Sequence, residues 1–199
     1  MSEPDDPKAT LLRYLQAKRT AILWKLDGLS EYDLRRPLTP TGTNLLGVVK
    51  HLALVELGYF GEVFGRPPRL TVSWRDEVEA AMDTVPNVDM FATADETRDE
   101  VLTLYREAGE NTAATVAALD LEAPGQVPWW GDQGAVTLHR IMVHMLDESA
   151  RHAGHLDILR EQLDGRAGKQ PGATNLPEAD VLGPQYVAKL QAIADGFRP

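Results

Sequence analysis

Glu148 and His152 stand four residues apart in the strongest helix-period segment of the chain, and His155 follows within the next turn. A turn of α-helix takes about 3.6 residues, so side chains at i and i+4 project from one face. A carboxylate and an imidazole placed in this way can reach a single divalent ion. A third ligand is available from His51, far away in sequence and set in an apolar stripe of its own. Three protein ligands leave coordination positions open for water or substrate, the pattern of a catalytic rather than a structural metal site.

Each histidine also has a plainer reading. Val48, His51, Leu52, Val55 and Tyr59 recur at spacings of three and four, so His51 points into a core. Alone it reads as a core histidine satisfied by one hydrogen bond, since an unpaired buried imidazole costs about 1–3 kcal/mol. His144, Glu148, His152 and His155 share a sector of about 80° on their helix, next to the apolar sector of Leu138, Met145, Leu156 and Leu163. A solvated edge of the core with one Glu–His pair, worth a few tenths of a kcal/mol, accounts for part of that pattern. Three histidines and a glutamate crowded beside a core stripe, with His51 on another helix, fit a metal site better. Spacing leaves open which of them ligate. His155 is a ligand, a hydrogen-bond partner of one, or a pocket residue, and His144 a proton carrier or spare ligand. His139, in the first turn, is an ordinary surface residue.

Trp129 and Trp130 stand in the loop before this helix, between Pro128 and Gly131. Paired tryptophans in a loop either cap a core or wall a ligand site. Tyr59, two turns beyond His51, can bring a hydroxyl near the ion, so Tyr59, Trp129 and Trp130 form the candidate substrate pocket. The sequence has no GxSxG, no P-loop, no GxGxxG and no CxxC, so nucleotide-dependent and serine-hydrolase chemistry has no support.

Four helix-period segments must position these residues, and no segment shows strand alternation. The first has Asp6 as cap, Pro7 at its first position and a stripe of Leu11, Leu15, Ile22 and Leu26, ending near Gly28. The second follows Pro40-Thr41-Gly42, capped by Thr43 or Asn44, and runs to about Gly65, where Pro67-Pro68 forbids continuation. The third is expected to begin at Thr93 with Glu96 completing a capping box, and to end before Pro124-Gly125. The fourth is capped by Thr137 and ends at Gly165. Residues 66–92 form a long crossover with a short helix around Asp76 to Met82, a device by which some four-helix bundles change neighbour order. Arg166 to Pro177 is a surface arm, and a last short helix runs from Pro184 to Asp195. The expected architecture is an all-α four-helix bundle over residues 1–165, with the arm and short helix of 166–199 packed on it.

With 199 residues, 43% apolar and 25% charged, the chain suits one soluble domain with a proper core. It contains no cysteine, so disulfides and thiolate ligands are excluded, and any thiol chemistry must use a thiol carried by a small molecule. The acidic N-terminus, Met1-Ser2-Glu3-Pro4-Asp5-Asp6, lacks the order of a signal peptide, and no run approaches the roughly 18 to 20 apolar residues that span a bilayer. A cytoplasmic protein is expected. A net charge of -10 repels phosphate backbones and anionic lipid, so neither nucleic acid nor membrane is an expected partner.

His51 within Leu45-Leu46-Gly47-Val48-Val49-Lys50-His51-Leu52, and Glu148-Ser149-Ala150-Arg151-His152-Ala153-Gly154-His155, resemble the metal-site helices of the DinB-like (YfiT-like) superfamily, which is distinct from the similarly named DNA polymerase. Glu56 to Phe64, Ala92 to Glu96 and Val127 to Asp132 further resemble its actinobacterial mini-circle protein branch, of unknown function. The resemblance covers roughly residues 7–165. It implies a four-helix bundle, commonly a homodimer, with a divalent metal on three side chains that fall here on His51, Glu148 and His152. Relatives include bacillithiol and mycothiol S-transferases, a mycothiol-dependent isomerase and a metal-dependent hydrolase. Glutamate at the second ligand departs from the usual three histidines but is shared with the isomerase-like relatives. Gly154-His155 replaces the usual glycine-glutamine. The excess of arginine over lysine suits a GC-rich genome, for which mycothiol is the expected thiol.

The resemblance therefore implies a metal-dependent enzyme, with zinc or nickel, that uses a low-molecular-weight thiol to transfer to or isomerise a small electrophile. His155 or His144 would move the proton. A metal-dependent hydrolase and a non-catalytic metal-binding stress protein are the alternatives.

Overall fold

A computed structural model of the protein describes residues 6–173 and 183–198. Helix α1 (Pro7–Trp24) opens at Asp6, whose carboxylate accepts from the Lys8 and Ala9 amides. A short helix that the periodicity did not reveal, α2 (Glu31–Arg35), is capped by Ser30. Helix α3 (Leu45–Leu57) is capped by Asn44 and continues through a π-helical turn, Gly58–Glu62. The crossover carries α4 (Arg75–Ala81) and a 3-10 turn, Val88–Met90. Helix α5 (Arg98–Ala118) follows, then β1 (Pro124–Gln126), a 3-10 stretch over Pro128–Gln133, and β2 (Ala135–Thr137). Helix α6 (Leu138–Asp164) is capped by Thr137 and ends at Gly165, and α7 is Pro184–Asp195.

Four long helices form the bundle. Helix α3 packs most extensively on α5, and α1 on α6, while α1–α5 and α3–α6 contacts close the ring. One half of the core holds Ile22, Leu46, Leu52, Leu104 and Leu156; the other holds Leu15, Phe60, Val116, Ile141 and Met145. Glu148 and His152 lie where α6 passes from the second half to the first. Inside the ring Arg19 of α1 pairs with Glu56 of α3, and Thr112 of α5 donates to the same carboxylate at 2.6 Å. Among the described residues no helix is long and apolar enough to cross a membrane.

Helix α5 starts four residues later than expected. Thr97 is the cap and Glu100 completes the box; Glu96 does reach back to the Thr93 amide at 3.0 Å, but its carboxylate is also claimed by Lys50. The β1–β2 hairpin, paired from Pro124 with Thr137 to Gln126 with Ala135, was not expected, because strands of three residues are too short to show alternation. The short helix of the crossover lies where expected. Helix α7 was expected to pack on the bundle, yet none of its residues is buried; Val187, Leu190 and Ile193 are all exposed. Of the arm, residues 174–177 lie outside the described set, as do Met1 to Asp5 of the acidic N-terminus. Lys25 holds residues near the arm's start, pairing with Asp157 and donating to the Gly168 carbonyl.

The crossover is fastened to α3 at three points. Lys50, completely buried, donates to the Val88 carbonyl at 2.9 Å, the Phe91 carbonyl at 2.9 Å and the Glu96 carboxylate at 2.8 Å. Asn44 donates to the Met90 carbonyl at 3.2 Å. Gly47 lies so close beneath the same carbonyl that a Cβ would overlap it. Burial pushes the Lys50 ammonium below the usual lysine range, although Glu96 pulls it back up. Removing one member of a buried pair strands the other charge, at about 3–5 kcal/mol. Lys50→Met is therefore expected to lower unfolding free energy by about that amount in urea titration, well beyond Arg36→Met, whose partner Asp33 is half exposed.

Candidate metal centre

His51 comes from α3, and Glu148 and His152 from successive turns of α6, so one helix–helix contact assembles all three. The ligand atoms they offer lie within 4.8 Å of one another. Oε1 of Glu148 is 3.0 Å from Nε2 of His152 and 3.4 Å from Nε2 of His51. Ligands bound at about 2.0–2.1 Å to one tetrahedral ion stand about 3.3 Å apart, so these separations suit a shared divalent cation. The donors are two imidazole nitrogens and a carboxylate oxygen, a set that accommodates zinc, nickel and several other first-row ions.

Sequence reasoning missed Asp89. Its carboxylate meets Nδ1 of His51 at 2.6 Å, so Nδ1–H donates to Asp89; Nε2 donates to Glu148 when the ring is charged and offers its lone pair to the cluster when the ring is neutral. A carboxylate behind a ligating imidazole fixes the ring's tautomer and orientation. Nothing in the periodicity could have found Asp89, because it sits in a 3-10 turn of the crossover and its place depends on the Lys50, Asn44 and Gly47 fastenings. The nearest signal was an acidic residue within a long, otherwise irregular connection. His152 has no equivalent support: its Nδ1 is buried without a hydrogen-bond partner.

The two imidazoles are driven in opposite directions. Burial disfavours the His51 imidazolium, but the hydrogen bonds and charges of Asp89 and Glu148 outweigh it and raise the pKa above the ordinary histidine value. Burial lowers that of His152, the neighbouring His51 charge lowers it further, and Glu148 only partly offsets them. Burial alone would raise Glu148, yet its bonds to His51 and His152 hold it below the usual carboxylate range. Asp89 is likewise lowered, chiefly by its bond to His51.

His144 stands one turn before Glu148 and meets the Tyr59 hydroxyl at 3.1 Å through Nε2. Trp129 Nε1 donates to the same hydroxyl at 3.4 Å, and the phenolic proton remains available to a His144 whose Nε2 is unprotonated. Trp130 packs edge-on against both rings, 5.7 Å from Tyr59 and 4.9 Å from His144. His155 is exposed; its ring edge meets His152 at 5.2 Å, outside the three-residue cluster. His139 is exposed. A cleft of about 300 Å3 is lined by Tyr59, Trp129 and Asp89, and through Asp89 it adjoins His51. The structure thus brings together His51, Glu148 and His152 as one cluster, and Tyr59, Trp129, Trp130 and His144 as an adjoining one.

The family model for mycothiol S-transferases matches residues 10–165. The chain belongs to that family. It is a branch of the DinB-like superfamily, as the helical fold agrees. A search of curated proteins gives no match. The family connection supplies a small-molecule thiol as its chemistry, and the His/Glu cluster could hold a metal ion.

Two outcomes are expected. Asp89→Asn, which keeps shape but removes the charge behind His51, should weaken zinc or nickel binding about 10- to 100-fold in chelator competition. Because the metal-free His51 carries its proton to higher pH than an ordinary histidine, an incoming ion must displace it. Calorimetry in buffers of differing ionisation heat should therefore record proton release on metal binding, with affinity beginning to fall while the pH is still above the ordinary histidine value of about 6.5 and falling further below it. Affinity independent of pH from about 5 to 8 would show that His51 is not a ligand.

Proposed function

We propose that the protein is a metal-dependent enzyme that transfers a low-molecular-weight thiol of the mycothiol type to a small electrophile. The observation that carries this reading is the convergence of His51, Glu148 and His152 beside a cleft, in a chain of the mycothiol S-transferase family. His51, Glu148 and His152 would hold the ion, zinc or nickel by the chemistry of the donor set. Such an ion supplies Lewis acidity, which lowers the pKa of a thiol that reaches it.

The chain's own residues provide the remainder. Asp89 keeps the His51 lone pair aimed at the cluster. Tyr59 lines the cleft and hands its phenolic hydrogen bond to His144, so the pair can take up the thiol's proton and carry it away from the reacting sulfur. Trp129 and Trp130 pack on the Tyr59 ring and brace it. His155 was the favoured proton acceptor on spacing alone. Its exposure and its distance from Tyr59's network make His144 the better supported one.

Metal-loaded protein should transfer mycothiol to a test electrophile faster than the metal-free protein or His152→Ala; equal rates in all three would sink the reading. His144→Gln should lose about a hundredfold in rate while retaining its metal, the typical contribution of a positioned acid–base group. His155→Gln is the contrast and should keep both its metal and most of its rate. If His155→Gln lost the activity and His144→Gln kept it, the roles would be reversed.

A further inference from the structure

The cleft beside the cluster has an unusual balance of shape and charge. Its walls are mainly apolar: Leu54 and Val55 on α3, Met82 after α4, and the rings of Tyr59 and Trp129, whose centroids are 5.4 Å apart. Gly58 contributes no side chain, and a Cβ there would stand 3.4 Å from the edge of the Trp129 ring, so the floor between them stays flat. At about 300 Å3 the space is at the small end for ligand pockets, room for a single substituted ring.

The charges around it are nearly all negative. Arg75 is the one cation among the described lining residues, and it is already committed: it pairs with Glu62, with Glu79 at 3.0 Å and with Asp76 at 3.4 Å. Glu62, Glu79 and Asp89 also line the cleft, and Asp89 is engaged with His51. A carboxylate entering the cleft would shed water, meet a rim on which carboxylates outnumber the one arginine, and find that countercharge already shared among them. Like-charge juxtaposition of that kind is a means of rejecting the wrong partner.

Resting on the thiol-transfer reading above, we propose that this cleft seats the electrophile and selects flat, uncharged, largely apolar acceptors, turning away those that carry a carboxylate. With an aryl chloride the step balances simply. The thiol gives up its proton, its sulfur forms a bond to the ring carbon, and chloride leaves with the electron pair of the broken bond. The ring lies against Tyr59 and Trp129, and the carboxylates at the rim do not take part.

The test uses the metal-loaded full chain, mycothiol, and two aryl chlorides that share the reacting carbon: methyl chlorodinitrobenzoate and the chlorodinitrobenzoate anion. After division by each compound's uncatalysed rate, kcat/KM for the ester should exceed that for the anion by on the order of tenfold or more. The double variant Glu62→Gln/Glu79→Gln, which removes two rim charges and leaves Arg75 only the exposed Asp76, should shrink that ratio several-fold. Equal normalised rates, or a preference for the anion, would overturn the proposal. Binding is read separately with the unreactive pair that lacks the chlorine, through quenching of Trp129 fluorescence against a Trp129→Phe control. Ester-selective quenching without turnover would refute thiol transfer but keep the cleft's selectivity. Quenching that does not distinguish ester from anion would overturn the proposal whatever the turnover.

Discussion

The ammonium of Lys50 has no water around it, and much of the molecule is arranged to satisfy it. A buried charge without partners is far too costly to persist, so three acceptors must come to it. All three lie between residues 88 and 96, which forces the end of the crossover to run along α3. Two consequences follow. The carboxylate of Glu96 serves Lys50 and the Thr93 amide together, ahead of α5, which begins at Thr97. Asp89, carried on the same segment, arrives at Nδ1 of His51. Lys50 and His51 are neighbours in sequence about 100° apart on the helix, one gripping the crossover and the other gripped by it. The cluster therefore inherits its orientation from an ion pair that touches none of its three members.

What was legible in the sequence was whatever depends on local period. The stripes of Leu11 to Leu26 and of Val48 to Tyr59 specify amphipathic helices, and Asp6, Asn44, Thr137 and Gly165 mark ends that the backbone respects. His51, Glu148 and His152 could be read as a set because two of them are one turn apart and the third sits in a core stripe. What was not legible depends on tertiary choice. Thr93-Ala94-Asp95-Glu96-Thr97-Arg98-Asp99-Glu100 holds two successive capping-box patterns, and the local sequence does not say that the second opens the helix while Glu96 of the first also meets Lys50. Asp89 has no periodic neighbours to betray it. The apolar face of α7 suggested packing, yet a stripe by itself does not say what will cover it.

The electrostatics of the cluster divide its two imidazoles into different roles. His51 stands between two carboxylates and keeps a proton readily; His152 stands next to His51 and keeps its lone pair. A site that held two imidazolium ions would repel itself, and one with neither would leave Asp89 and Glu148 facing each other across a single ring. One proton on the His51 side is the balance that both carboxylates favour. A divalent cation would supply that balance with more charge in less space.

The helix widens at the turn that carries Tyr59. The Val63 amide bonds to the Gly58 carbonyl five residues back, a single π turn at the end of α3. An ordinary α-helix repeats its faces every 3.6 residues, so an i to i+5 closure shifts the register of everything beyond it. Tyr59 can then turn toward α6 while Glu62 turns toward α4 and Arg75. The turn forms beside Gly58 and Gly61, where the absence of side chains lets Trp129 and the Pro67–Pro68 segment approach closely. His51, Glu148 and His152 thus sit on regular helix, where geometry is stiff, whereas Tyr59 and Glu62 sit on the irregular turn. Straightening that turn would shift Glu62 at the cleft's rim and alter the backbone that carries Tyr59.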